Sequence, residues 1–248
     1  MKQRRLGFTL IELLVVLAIV AILAAVLFPV FAQAKAGGKR AASLAHARQV
    51  GVAAFLYLDD NGDRHPMLQY SGPAGQTAPD NFGFFRWPWL LRPYAKSFDV
   101  FLDPADWERP DFRDKNDPNF GYAFGLCPSF GYHARLFSPG AEEYLPDHEP
   151  FAPIVASVVQ APTETVFLAQ STWFWPLDKP NVGYYRIYPP ERWTRQLPAS
   201  GRTWGHFWPR HFGTHGTVLF ADGHVKSMTP TALDRAGYWN GLGLQTRP

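Results

Sequence analysis

The chain has 248 residues, 46% apolar and 18% charged, which is enough apolar material for one sizeable core and excludes a wholly disordered protein or a coiled coil. Its single cysteine, Cys127, excludes an intrachain disulfide, and no CxxC pair offers a thiolate metal knuckle or a redox couple. Three of the 24 basic residues, Lys2, Arg4 and Arg5, account for the formal charge of +3, and the nearly neutral body that remains argues against a nucleic-acid partner.

Phe8 to Phe28 forms a run of 21 residues in which only Thr9 and Glu12 are not apolar. As a helix rising about 1.5 Å per residue it spans roughly 30 Å, the thickness of a bilayer's hydrocarbon core. A secretory signal has a shorter apolar run followed by a small-residue cleavage site, whereas here Ala24-Ala25 lies inside the run. The basic residues before it predict a single span with the N-terminus in the cytoplasm and the remainder outside. Pro29 and Gly37-Gly38 predict bending or local melting further along. Beyond them Leu44, Ala47, Gly51, Ala54 and Leu58 recur at helical spacing, flanked by Val50 and Phe55, which predicts an amphipathic, soluble half. The helix should stop at Asp59-Asp60-Asn61-Gly62, because Asn-Gly suits a left-handed C-terminal cap.

Glu12 is the anomaly in the span, since a carboxylate costs about 2.5 to 3.5 kcal/mol at the centre of a membrane helix. Either it snorkels to the interface or it meets a positive group, and the chain offers no basic residue between positions 6 and 34. Cutting the Gly7–Phe8 bond would create one, because the new amine on Phe8 would stand at i and i+4 from Glu12.

The segment Arg5-Leu6-Gly7-Phe8-Thr9-Leu10-Ile11-Glu12-Leu13-Leu14-Val15-Val16 resembles the class III signal of type IV pilins and type II secretion pseudopilins, with Arg4, Gly7, Phe8 and Glu12 on the matching positions. The resemblance implies cleavage between Gly7 and Phe8 by a prepilin peptidase, N-methylation of Phe8, and assembly with other pilin or pseudopilin subunits through the N-terminal helix. Glu12 would neutralise the Phe8 amine of its own or a neighbouring subunit. Pro29 falls at the 22nd position of the mature chain, where many pilins carry a helix-bending proline.

After residue 60 the composition changes: all nine tryptophans and 22 of the 23 prolines lie there. The segment reads as strands joined by long loops. Tyr57 to Pro66 resembles the helix-to-head junction of G-type pseudopilins. Arg210-His211 with Leu219-Phe-Ala-Asp-Gly-His-Val-Lys226 resembles the C-terminal signature of the bacterial pilin-like H-X9-DG (DUF1559) group, carried by His211, Asp222 and Gly223. Here ten residues, one more than the nominal nine, separate His211 from Asp222, and Cys127-Pro128-Ser129 occurs once where that group often has pairs.

In physical terms, Thr217–Ala221 and His224–Met228 predict a hairpin with the two-residue turn Asp222-Gly223, Val218 and Phe220 on one face and Leu219 and Ala221 on the other. His206, His211, His215 and His224 invite a zinc reading, but no Glu or Cys joins them, and hydrogen-bonded structural histidines are the alternative. Asp59, Asn61 and Asp63 alternate like a calcium loop, yet Arg64 stands where glycine is needed, so a capped helix end fits better. Asp103 and Asp106 could form an acid pair, though surface or turn-forming aspartates are commoner. The aromatic runs Arg86–Trp89, Trp173–Trp175 and Trp204–Trp208 suit core packing, or stacking on sugar or protein. No nucleophile elbow, P-loop or dinucleotide fingerprint is present, and no cofactor is implied.

The expected architecture is α+β: a leader over 1–7, a pilin-like helix over 8–59 with 8–28 in the cytoplasmic membrane, and an antiparallel sheet head with long loops over 60–248. The expected role is a structural subunit rather than an enzyme, with prepilin peptidase, sister subunits and membrane lipid as partners. The rivals are a surface module recognising polysaccharide or secreted cargo, and a membrane-tethered hydrolase acting through His211.

Overall fold

The computed structural model describes residues 9–71, 84–106, 120–138, 153–174, 183–190, 193 and 203–241. Gly7, Phe8 and Trp175 lie outside the described residues, as do the side chains of Trp173, Phe174 and Trp204. By internal contacts the chain divides into residues 1–38 and 39–248.

The first helix, α1, runs over Leu10–Asp60 without interruption at Pro29 or at Gly37-Gly38, so the local melting expected there does not occur. Each glycine costs only about 1 kcal/mol relative to alanine, and one proline removes a single ladder hydrogen bond; neither stops a helix whose propagation is cooperative and whose neighbours are Ala, Leu and Val. Its end follows the sequence. Gly62 takes a φ of +64°, and the Asp63 N–H donates to the Leu58 carbonyl at 2.9 Å, the long bond of a Schellman cap. The Asn61 side chain donates to the Tyr57 carbonyl at 2.8 Å, and a carboxylate oxygen of Asp63 accepts from the Ser157 N–H at 3.3 Å. These acidic and amide groups cap chain ends.

In the second unit, β1 (Gln69–Ser71) and β2 (Phe84–Arg86) form a small antiparallel ribbon. The main sheet joins β3 (Phe130–Tyr132), β4 (Val166–Phe174), β5 (Thr203–Phe207), β6 (Gly216–Phe220) and β7 (Val225–Met228), all antiparallel, in the order β3-β4-β6-β7 with β5 also on β4. The head is therefore the α+β arrangement expected, with Ala47, Val50, Ala53 and Ala54 of α1 in one core with Leu168 and Leu219. A second core holds Val166, Ala169, Val218, Phe220 and Met228. Every residue of β6 is buried, and its side chains alternate between the two cores as the hairpin pattern requires.

The hairpin loop differs from expectation in length. The Phe220 N–H donates to the His224 carbonyl at 3.0 Å, which leaves Ala221, Asp222 and Gly223 as a three-residue loop. Its cause lies outside the hairpin: the Ala221 N–H is drawn to the Thr165 carbonyl at 2.9 Å, so Ala221 leaves the ladder. The Gly223 N–H closes the turn onto the Phe220 carbonyl at 2.9 Å with Gly223 at φ +87°, the left-handed glycine that such loops use.

In the aromatic runs, Trp87 and Phe207 lie in the cores and Trp89 packs against one of them. Trp87 is fully buried and donates its indole N–H to the Tyr185 carbonyl at 2.7 Å. Trp89 and Phe98 meet Phe124 edge-on at centroid distances of 4.9 and 4.8 Å. Such geometry adds about 0.5–1.5 kcal/mol per pair to the area buried.

Candidate functional site

Two places carry chemistry. The first is the start of α1. Thr9 precedes the first helical residue, and its N–H and hydroxyl both donate to Glu12 Oε2 at 2.8 Å, while the Glu12 N–H donates to Thr9 Oγ1 at 3.2 Å. This is a reciprocal capping box, Thr-x-x-Glu, and it satisfies two helix-end donors within the chain itself. Glu12 thus has neutral partners even before any amine is created. The spacing is present in Thr9-Leu-Ile-Glu12, and neither snorkelling nor pairing with a cation takes it into account. From Leu10 onward the side chains stand open, Leu10 at 78%, Phe28 at 72% and Phe31 at 65% exposure, and the most apolar window of the helix has a mean hydropathy of 3.2. By length and composition this helix can cross a bilayer.

The second place is a buried polar cluster in the head. Asp103 is its hub: Oδ2 accepts from the Ser43 hydroxyl of α1 and from the Gln170 carboxamide of β4, and lies 3.1 Å from His211 Nε2. Oδ1 accepts from the Ala105 N–H at 2.7 Å, and the Asp103 N–H donates to Ser129 Oγ at 2.8 Å. Ser43 also meets Thr217 Oγ1 of β6 at 2.7 Å. The Ser129 hydroxyl passes the network to Asp106 Oδ2 at 2.7 Å, which pairs with Arg210 Nη2 at 3.3 Å. Ser43, Asp103, Asp106, Ser129, Gln170, His211 and Thr217 are all buried. Burial works against the charge on Asp103, but hydrogen bonding to and attraction by His211, with Arg210 and Ser43 adding to them, hold its carboxyl below the usual range.

This arrangement corrects two expectations. Asp103 and Asp106 do form a turn, with the Asp106 N–H on the Asp103 carbonyl at 2.9 Å, but they are core residues and not surface ones. His211 has an acidic partner after all, supplied from 108 positions away in sequence. His215 Nδ1 meets Thr214 Oγ1 at 2.8 Å, and His224 Nδ1 meets Asp222 Oδ1 at 2.5 Å. Among the described residues no group of three His, Cys, Asp or Glu side chains is placed to hold a metal ion. Ser, His and Asp do converge, yet Ser43 bonds to Asp103 rather than to His211, and all three are buried. Cys127 is likewise buried, and burial pushes its thiol up to about 12, which makes it unreactive.

Two further histidines, His65 and His133, are buried away from water. His65 is buried against Phe137 and Phe167, at centroid distances of 4.5 and 5.5 Å, and among the described residues neither ring nitrogen has a hydrogen-bond partner. Burial lowers it to about 4, against a small opposing pull from Asp63. His133 is lowered to about 4 by burial, with Arg135 adding to it and the Val166 carbonyl, 3.1 Å from Nδ1, opposing. The unfolded chain takes these protons below about pH 6.5 and the folded chain only near pH 4, so the unfolded state binds more protons in that window and stability falls as pH drops. The expected loss is about 3 kcal/mol per histidine by pH 4. Thermal melting between pH 7 and 4 measures it, and His65→Leu should flatten the slope.

Residues 2–28 match a family model described as the prokaryotic N-terminal methylation motif. No curated protein and no solved structure matched the chain. The match covers Lys2, Arg4, Arg5 and the open apolar half of α1, and supports a pilin-like protein, processed at its N-terminus and anchored by one helix.

Proposed function

We propose that the chain is a structural subunit of a type IV pilus-like or type II secretion pseudopilus-like assembly. Prepilin peptidase cuts between Gly7 and Phe8, Phe8 is N-methylated, residues 8–28 hold the subunit in the cytoplasmic membrane with the head outside, and sister subunits pack through that helix. Residues 1–7, 8–59 and 60–248 are then leader, pilin helix and a head of the H-X9-DG (DUF1559) kind, whose signature residues are His211, Asp222 and Gly223. The observation that carries this reading is the methylation motif on a helix whose described large apolar side chains, Leu10 to Phe31, are exposed. The burial of Trp87 and of the Trp89–Phe98–Phe124 contacts in the core weakens the rival reading of an aromatic binding face.

Glu12 separates cap from charge. Glu12→Gln keeps a capping box but cannot pair with a Phe8 amine, whereas Glu12→Ala removes both. Both variants should insert into the membrane no less well than the parent and lose assembled filaments. A hydrogen bond to a charged group is worth about 1.5–3 kcal/mol, or roughly ten- to hundredfold per subunit contact. Counting sheared surface filaments is the check; normal filaments from Glu12→Gln would show that the ion pair has no part in assembly.

A further inference from the structure

Over residues 41–59, α1 has two unlike faces. Ala47, Val50, Ala54 and Leu58 are buried, while Ala41, Ala45, Arg48, Val52, Leu56 and Asp59, on the opposite side of the helix, are exposed. Val52 stands at 55% exposure and Leu56 at 48%, and with Phe55 between them they make an apolar patch that ends in a charge on either side, Arg48 and Asp59. The exposed face also repeats its own spacing. Ala41, Ala45 and Arg48 follow one another by four and then three positions, and so do Val52, Leu56 and Asp59. The two sets are eleven positions apart, which is three helical turns to within about 20°, so both lie on one face, about 16 Å apart along the helix. One set is small and ends in a cation; the other is large and ends in an anion.

We propose that two copies of this chain pack α1 against α1 in parallel with a stagger of eleven residues, Ala41, Ala45 and Arg48 of one copy lying on Val52, Leu56 and Asp59 of its neighbour. The proposal rests on the pilin-like reading above, in which every copy enters the membrane by the same end and neighbouring helices therefore run parallel. The alanines leave room for a close approach, and the valine and leucine of the other helix fill it. Parallel pairing without a stagger sets Arg48 against Arg48 and Asp59 against Asp59, and like charges in contact oppose association. The stagger replaces both repulsions with one opposite pair and takes Val52 and Leu56 of one copy out of water. An exposed ion pair adds little affinity, so apolar burial holds the contact and the charges select its register.

Disulfide trapping of the full chain in native membranes tests the register. Chains with Ala45→Cys and chains with Leu56→Cys are produced together and mildly oxidised, with the parent chain, whose one thiol is the buried Cys127, as the blank. The expected result is a dimer that joins one chain of each kind and is absent when either is produced alone. Arg48→Asp or Asp59→Arg, added to both kinds of chain, should lower its yield roughly threefold or more, and the two changes together should restore it. Leu56→Cys trapped with itself overturns the stagger, and trapping to a different host protein overturns the choice of partner. Absence of the mixed dimer, or a double charge exchange that fails to restore it, also overturns the proposal. Intact mass of the same membrane sample keeps the two claims apart: a chain still beginning at Met1 counts against the pilin-like reading, whereas a processed chain without the mixed dimer refutes the register alone.

Discussion

His211→Ala should destabilise the head by about 2–3 kcal/mol, the cost of taking a hydrogen-bond partner from a buried charged carboxylate. The loss has two sources. Asp103 keeps its charge at full burial, held by Ser43, Gln170, the Ala105 N–H and the attraction of Arg210, and Gln170 loses the group 3.2 Å from its amide nitrogen. Against a typical total of about 5–15 kcal/mol this is a large share of what holds a domain folded. For a head of this size it corresponds to a fall of roughly 10 °C in melting temperature. Thermal melting of the full chain in detergent measures it, and an unchanged midpoint would show that the cluster contributes nothing through His211.

Gly223→Val should have an effect of similar size for a different reason. The residue sits at φ +87°, where an L side chain costs about 1–2 kcal/mol and a β-branched one more. A Cβ there would also stand 2.5 Å from Cε2 of Phe55, so the ring of α1 must move away from the hairpin. Together the strain and the lost packing amount to about 2–4 kcal/mol. Asp222→Ala, which removes the exposed carboxylate that meets the His224 N–H at 3.1 Å and His224 Nδ1 at 2.5 Å, should cost about 1 kcal/mol. Comparing the melting temperatures of the two variants checks the order, and a milder Gly223→Val would contradict the account of the loop.

The parts of this fold that were legible in the sequence are those written in neighbouring residues. Asn61-Gly62 marked the helix end because the left-handed cap needs that residue type at that place. Alternation in Thr217–Ala221 assigned Val218 and Leu219 to opposite faces because the period of a strand is two. What escaped was set by distant chain. The hairpin loop gained a residue through the Thr165 carbonyl, and Asp103 became a hub only because Ser43, Gln170 and His211 come to it from the helix and from two distant parts of the head. No spacing rule connects positions 43, 103, 170 and 211. The Thr9–Glu12 box was the reverse case, a local signal overshadowed by the question of membrane charge.

The central claim is that the chain is made as a precursor and matured at its N-terminus. N-terminal sequencing with intact mass measurement of the protein from its native membranes tests it most directly. Processing gives a chain that begins at Phe8 and carries one added methyl group. A chain that still begins at Met1, or one cut near Ala25, would contradict the account.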